Sequence, residues 1–170
     1  MSLREKFAAD LKESMLAKDS QRSATIRLIR AALQEKDLAA GDRAFKKLSE
    51  AERAVATKES LEGSKLNDDE ILSLLIAMVK QRRESIEMYT KGNRPELAAQ
   101  EEAEIAIIET YLPKQLNDAE AGAAIDGLIK ELGATSVKDM GKVMGELKKR
   151  FAGQMDFGKA GALIKNRLAA

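Results

Sequence analysis

A six-residue joint, Tyr111-Leu112-Pro113-Lys114-Gln115-Leu116, constrains the fold more than any other stretch, because it separates two helix-forming regions of different character. Pro113 has no backbone N–H and steers Leu112 away from the α region. A helix arriving from Leu97 through Ile105, Ile107 and Ile108 therefore has to stop there. Leu112 and Leu116 are too apolar for a solvated linker, so the joint is expected to be packed. Only one other proline, Pro95, occurs in 170 residues dominated by Ala, Leu, Glu, Lys and Arg, a composition that favours helix almost throughout. The expected fold is all-α: an N-terminal helical domain over residues 1–110 and a small three-helix module over 111–170.

Local signals divide the first domain into helices. Ser2 and Glu5 form a capping-box pair, followed by Leu3, Phe7, Leu11 and Met15 at i+4 spacing on one face. A second helix is expected from about Gln21 to Ala39, with Ile26, Ile29 and Leu33 as its apolar edge and Gly41-Asp42 ending it. Arg22, Arg27 and Arg30 lie on or beside its polar side as solvated or paired charges. Ala44 to Leu61 reads as a loosely attached, exposed helix. Asn67 to Glu70 caps the next helix, whose stripe from Ile71 to Tyr89 is the strongest of this half. Thr90 to Asn93 stops it, and Pro95 opens its successor at the first helical position. Glu96, Glu101, Glu102, Glu104 and Glu109 on that successor lack the DxDxDG loop of a cation site. They read instead as a solvated face, or one turned toward Lys80-Gln81-Arg82-Arg83 in an antiparallel hairpin. Arg83 is expected to pair with Glu87 one turn on.

Beyond the joint, Asn117 and Glu120 make another capping box, and Gly133 supplies a left-handed stop after Leu132. Ser136 caps a helix carrying Met140, Met144, Leu147 and Phe151. A turn over residues 152–156 leads to a last helix with Phe157, Ala160, Gly161, Ile164 and Leu168. About 50–60 residues of this kind suffice for one small core.

Charge is distributed unevenly. Residues 1–110 carry 19 Lys and Arg against 21 Asp and Glu, whereas 138–167 carry 8 against 3. A local basic excess suggests a polyanionic partner. The sequence has no Cys and no His, which removes thiolate chemistry, most zinc sites and the commonest general base. No catalytic residue, metal ligand or cofactor motif is recognisable: there is no Walker loop and no GxGxxG after a strand. No apolar run reaches the ~20 residues of a membrane span, and the start has no apolar h-region. The expectation is a cytoplasmic protein, with no membrane association.

The candidate site lies in the basic stretch. Gly141 and Gly145 are four apart on one predicted helix, and interior glycines weaken a helix by roughly 1 kcal/mol each relative to Ala. Either another helix or a ligand backbone should therefore approach the bare main chain, and helix packing is the commoner solution. Lys148, Lys149 and Arg150 follow, and Lys159 opens the helix across the turn. Lysines flanking a glycine-containing turn near helix N-termini suit a phosphate backbone, although a solvated face has the same composition.

The segments MSLREKFAADLKESMLAKD, VKQRRESIEMY, ETYLPKQL and KDMGKVMGELKKRFAGQMDFGKAGALIKNRL resemble the GatB/YqeY family over residues 1–38 and 66–170. YLPKQL followed by GATSVKDMGKVMGEL and the G-x-x-D turn is the more specific part. The resemblance implies an N-terminal helical domain and a C-terminal module similar to the tail of the B subunit of the tRNA-dependent amidotransferase, which contacts the outer corner of tRNA. The family is associated with glutamine-dependent carbon–nitrogen ligase chemistry, but the residues that perform it belong to other domains and another subunit. Residues 39–65 depart from the family pattern as an insert. The expectation that follows is a tRNA-binding accessory protein, with Lys142, Lys148, Lys149, Arg150 and Lys159 as phosphate contacts, Gly141 and Gly145 allowing close approach, and a protein partner on the N-terminal helices. A protein-interaction module without nucleic acid, and a part that works only inside an amidotransferase complex, are the other readings.

Overall fold

The computed structural model describes residues 1–57 and 59–169. Among these there are eight α-helices and no strand: α1 (Leu3–Leu16), α2 (Ser20–Lys47), α3 (Glu50–Val55), α4 (Asp68–Lys91), α5 (Pro95–Glu109), α6 (Asp118–Leu132), α7 (Met140–Arg150) and α8 (Phe157–Ala169). Short 3₁₀ segments cover Glu59–Ser64 and Val137–Asp139. The all-α class follows directly from the composition.

Helix starts obey the capping chemistry. Reciprocal side-chain-to-backbone bonds join Ser2 to Glu5, Asn67 to Glu70 and Asn117 to Glu120 at the starts of α1, α4 and α6. Gly133 ends α6 with φ 61°, in the left-handed region. Asn93 rather than Gly92 takes the left-handed conformation after α4, with φ 54°.

The apolar residues collect into two cores. The first joins Phe7, Ile26, Ile29, Leu33, Ile71, Leu75, Met78, Val79, Ile105, Ile108 and Tyr111 from α1, α2, α4, α5 and the joint. The second joins Ile125, Leu128, Val143, Leu147, Met155, Ala160, Ile164 and Leu168 from α6, α7, α8 and the preceding turn. Leu112 packs against the first and Leu116 against the second, so the joint is packed at both ends. Tyr111 is the anchor. Its ring meets Phe7 edge-on at 4.8 Å, and its hydroxyl donates to Asp10 Oδ2 at 2.7 Å. Burial and the Asp10 carboxylate push that hydroxyl's pKa far above its ordinary value.

The α4–α5 pair forms the antiparallel hairpin. Arg82 reaches Glu104 at 2.9 Å and Glu101 at 3.8 Å, and Arg83 reaches Glu109 at 3.0 Å. The expected Arg83–Glu87 pair does not form, because α5 brings a carboxylate to Arg83 from across the hairpin.

Three other local expectations are corrected. α2 does not end at Gly41-Asp42 but continues to Lys47, and the helix expected over Ala44–Leu61 is replaced by the end of α2 and the short α3. One interior glycine costs only about 1 kcal/mol, and the good helix formers Ala39 and Ala40 before it and Arg43, Ala44, Lys46 and Lys47 after it carry the helix through. The break falls at Ser49, which forms a capping box with Glu52 that the sequence also carries. On α1, Met15 stays half exposed and Ser14 is buried instead, its hydroxyl bonded to Leu11 O and to Ser23 Oγ at 2.9 Å each. A small hydroxyl lets α1 and α2 approach where a methionine would not fit.

Candidate nucleic-acid interface

The glycine-bearing helix α7 is anchored by Val143 and Leu147, both fully buried. At about 100° per residue, Gly145 points directly away from that seam, with Gly141 and Lys148 on one flank and Lys149 and Lys142 on the other. All five are exposed. A Cβ added at Gly141 or Gly145 would meet nothing within 4 Å. The commoner solution, a neighbouring helix packed on the bare backbone, is thus not the one adopted. A glycine that does serve internal packing is Gly161 on α8, where a Cβ would come 3.1 Å from Met144 Cε and 3.6 Å from Met140 Cε.

The cations differ in their commitments. Lys142 and Lys148 form no ion pair among the described residues. Lys149 reaches Glu146 at 3.1 Å, an exposed pair of small energetic weight. Arg150 is held by both Glu131 oxygens, at 2.7 and 2.9 Å, and lies near Glu146 as well. That contact raises the Arg150 pKa and lowers that of Glu131. Arg150 therefore ties α7 to α6 at the edge of the face.

Lys159 lies elsewhere. It lines a cleft between the two cores, together with residues of α4, the joint, α6 and α8, and no α7 residue lines that cleft. The start of α8 beside it already holds an anion: Asp156 Oδ1 accepts the Gly158 and Lys159 N–H groups at 2.7 and 3.4 Å. Burial pushes this carboxyl up, but those two amides and Lys80, 3.5 Å away, outweigh it and hold the pKa below its ordinary value. An external phosphate thus finds that helix end occupied. Sequence reasoning missed this role of Asp156, although aspartate directly before an apolar helix start is a capping signal.

The turn that carries Asp156 is fixed to the rest of the molecule. Gly153, at φ 72°, lies against α4 so closely that a Cβ would fall 2.8 Å from Leu72 Cδ1. Gln115 Nε2 donates to Gly153 O, and Leu116 N–H donates to Gln154 O at 2.8 Å. Glycine is required there on both counts.

A family profile described as Yqey-like protein matches residues 39–168. The chain belongs to the Yqey-like protein family. The matched range takes in residues 39–65 and leaves out 1–38. Relatives include three proteins named altered inheritance of mitochondria protein 41, mitochondrial. That of Lachancea thermotolerans is 31% identical over 125 residues, covering 72% of this chain and 56% of the relative. That of Vanderwaltozyma polyspora is 28% identical, covering 77% and 63%, and that of Eremothecium gossypii is 29% identical, covering 95% and 78%. The alignments with the first two thus span less than two thirds of those proteins. Because these Yqey-like relatives are named as mitochondrial, the cytoplasmic expectation is overturned. A cysteine-free, charge-balanced helical composition suits an organelle interior as well as a cytoplasm, so composition could not discriminate between them.

Proposed function

We propose that this Yqey-like protein, a member of a GatB-related family, is a tRNA-binding accessory protein that holds the RNA backbone on the outer face of α7. The carrying observation is Gly145, which faces away from the buried seam, touches nothing, and stands among Lys142, Lys148 and Lys149. Gly145, inside α7, weakens the helix by roughly 1 kcal/mol relative to Ala, Gly141 lies in its first turn, and no described residue fills the space beside either. A phosphodiester backbone laid along α7 reaches bare main chain at Gly141 and Gly145. The flanking ammonium groups then displace its counterions. Contacts of this kind position an RNA without reading its bases. Arg150 and Lys159 stand outside this contact, the first shaping the face through Glu131 and the second lining the cleft.

No catalytic step belongs to this function; the protein acts by positioning and charge. Binding of tRNA measured across a salt series tests it. Affinity for the unmodified protein should fall steeply with salt. In Lys148→Ala/Lys149→Ala the salt slope should flatten by roughly one unit per lost contact, with stability changed by no more than about 0.5 kcal/mol. An unchanged affinity and slope in that variant would remove α7 from the interface.

A further inference from the structure

A cleft of about 840 Å³ lies between the two cores. Its floor is apolar. Ile76, Leu112, Leu116 and Leu163 are each only half-buried there, beside the buried Val79 and Met155. Ile76 belongs to neither core and lines the cleft. The α4 wall from Ile76 to Glu87 runs for roughly 16 Å, three turns of a helix.

The charges around this floor do not balance locally. Lys80 is engaged by Asp156 at 3.5 Å, Arg83 by Glu109 at 3.0 Å, and Arg167 by Asp126. Glu84, Glu87 and Asp118 line the same cleft without an ion-pair partner among the described residues. Lys159 is the one lining cation left without such a partner. The lining carries five carboxylates against four cations, and the unpartnered ones, Glu84, Glu87 and Asp118 against Lys159, leave an acidic excess that complements a cationic amphipathic segment.

We propose that the cleft between α4 and α8 is a docking groove for a basic amphipathic helix of a partner protein. Apolar anchors of that helix at i, i+3 or i+4, and i+7 would enter between Ile76, Leu112 and Leu163, and its Lys or Arg residues would face Glu84 and Glu87. The groove stands apart from α7, so the two faces carry opposite charge and suit different partners. The proposal rests on the cleft and not on the RNA-binding assignment.

The test uses the full chain and two fluorescent amphipathic peptides of about 14 residues, alike in their leucine stripe, one flanked by lysine and the other by glutamate. The lysine peptide should bind about tenfold or more tighter than the glutamate peptide. Glu84→Lys/Glu87→Lys, on exposed positions that the fold does not use, should reverse that preference. Methyl NMR should place the lysine peptide against Ile76, Val79, Leu112 and Leu163, with Val143 under α7 unmoved. Failure of both peptides to bind, a preference indifferent to the charge swap, or shifts outside the cleft would overturn the proposal. So would cleft methyls that move with protein concentration alone, since the occupant would then be a second copy of the chain.

Discussion

Helices α5 and α7 are both densely charged, yet their charges have opposite fates. On α5, Glu101, Glu104 and Glu109 are met by Arg82 and Arg83 of α4, and Arg82 is largely removed from solvent by the pairing. On α7, Lys142 and Lys148 form no ion pair among the described residues, and a Cβ at Gly141 or Gly145 would meet no neighbouring atom. The first arrangement completes a fold from within. The second leaves field and backbone open to something outside. Charge density alone therefore does not separate a structural face from a binding face; what packs opposite it does.

That contrast can be broken at its structural end first. Arg82→Ala leaves Glu104, with Glu101 nearby, facing a half-buried space without a cation, and should cost about 3 kcal/mol by chemical denaturation. Binding of tRNA by the folded fraction should be unchanged. If affinity dropped in proportion to stability, the two faces would not be independent.

Asp37 supplies the next largest effect. It accepts two bonds from Arg4 at 2.7 and 2.8 Å and one from the Leu66 N–H at 3.0 Å, fastening α1, α2 and the approach to α4. Asp37→Asn should cost about 2 kcal/mol at neutral pH. The Arg4 contact holds the Asp37 carboxyl below its ordinary pKa. The folded chain consequently binds fewer protons than the unfolded one in mild acid. Its contribution is complete above the usual carboxylate range and is lost as pH falls through the lowered value. Denaturation curves from neutral to acid pH should show a shallower loss in the Asn variant.

At the joint, Tyr111→Phe removes the hydroxyl from Asp10 while keeping the ring on Phe7, and should cost about 1 kcal/mol in the same measurement. A loss several times larger would mean that the two cores melt as one unit through Tyr111.

The smallest effect has the opposite sign. Gly145→Ala places a methyl group where nothing stands within 4 Å, so it should stabilise the protein by up to about 1 kcal/mol through helix propensity. The same methyl should weaken tRNA binding. Stabilisation with undiminished binding would show that the bare backbone at Gly145 serves no contact.

The sequence by itself determined what depends on neighbours within a turn or two. The capping boxes at Ser2, Asn67 and Asn117, the left-handed Gly133, the proline-opened α5 and the helix stop before Pro113 all rest on local backbone hydrogen bonding and sterics. The tertiary structure decided what depends on the approach of distant segments. It buried Ser14 rather than Met15, because α2 brings Ser23 against that turn. It gave Arg83 to Glu109, because α5 folds back on α4. It turned Lys159 into the cleft and filled the adjoining helix start with Asp156. It also separated glycines that look alike in sequence: Gly161 admits Met140 and Met144, whereas Gly141 and Gly145 face outward. A missing side chain has no sign of its own, and whether it marks an internal contact or an open surface is set by what the rest of the chain places opposite it.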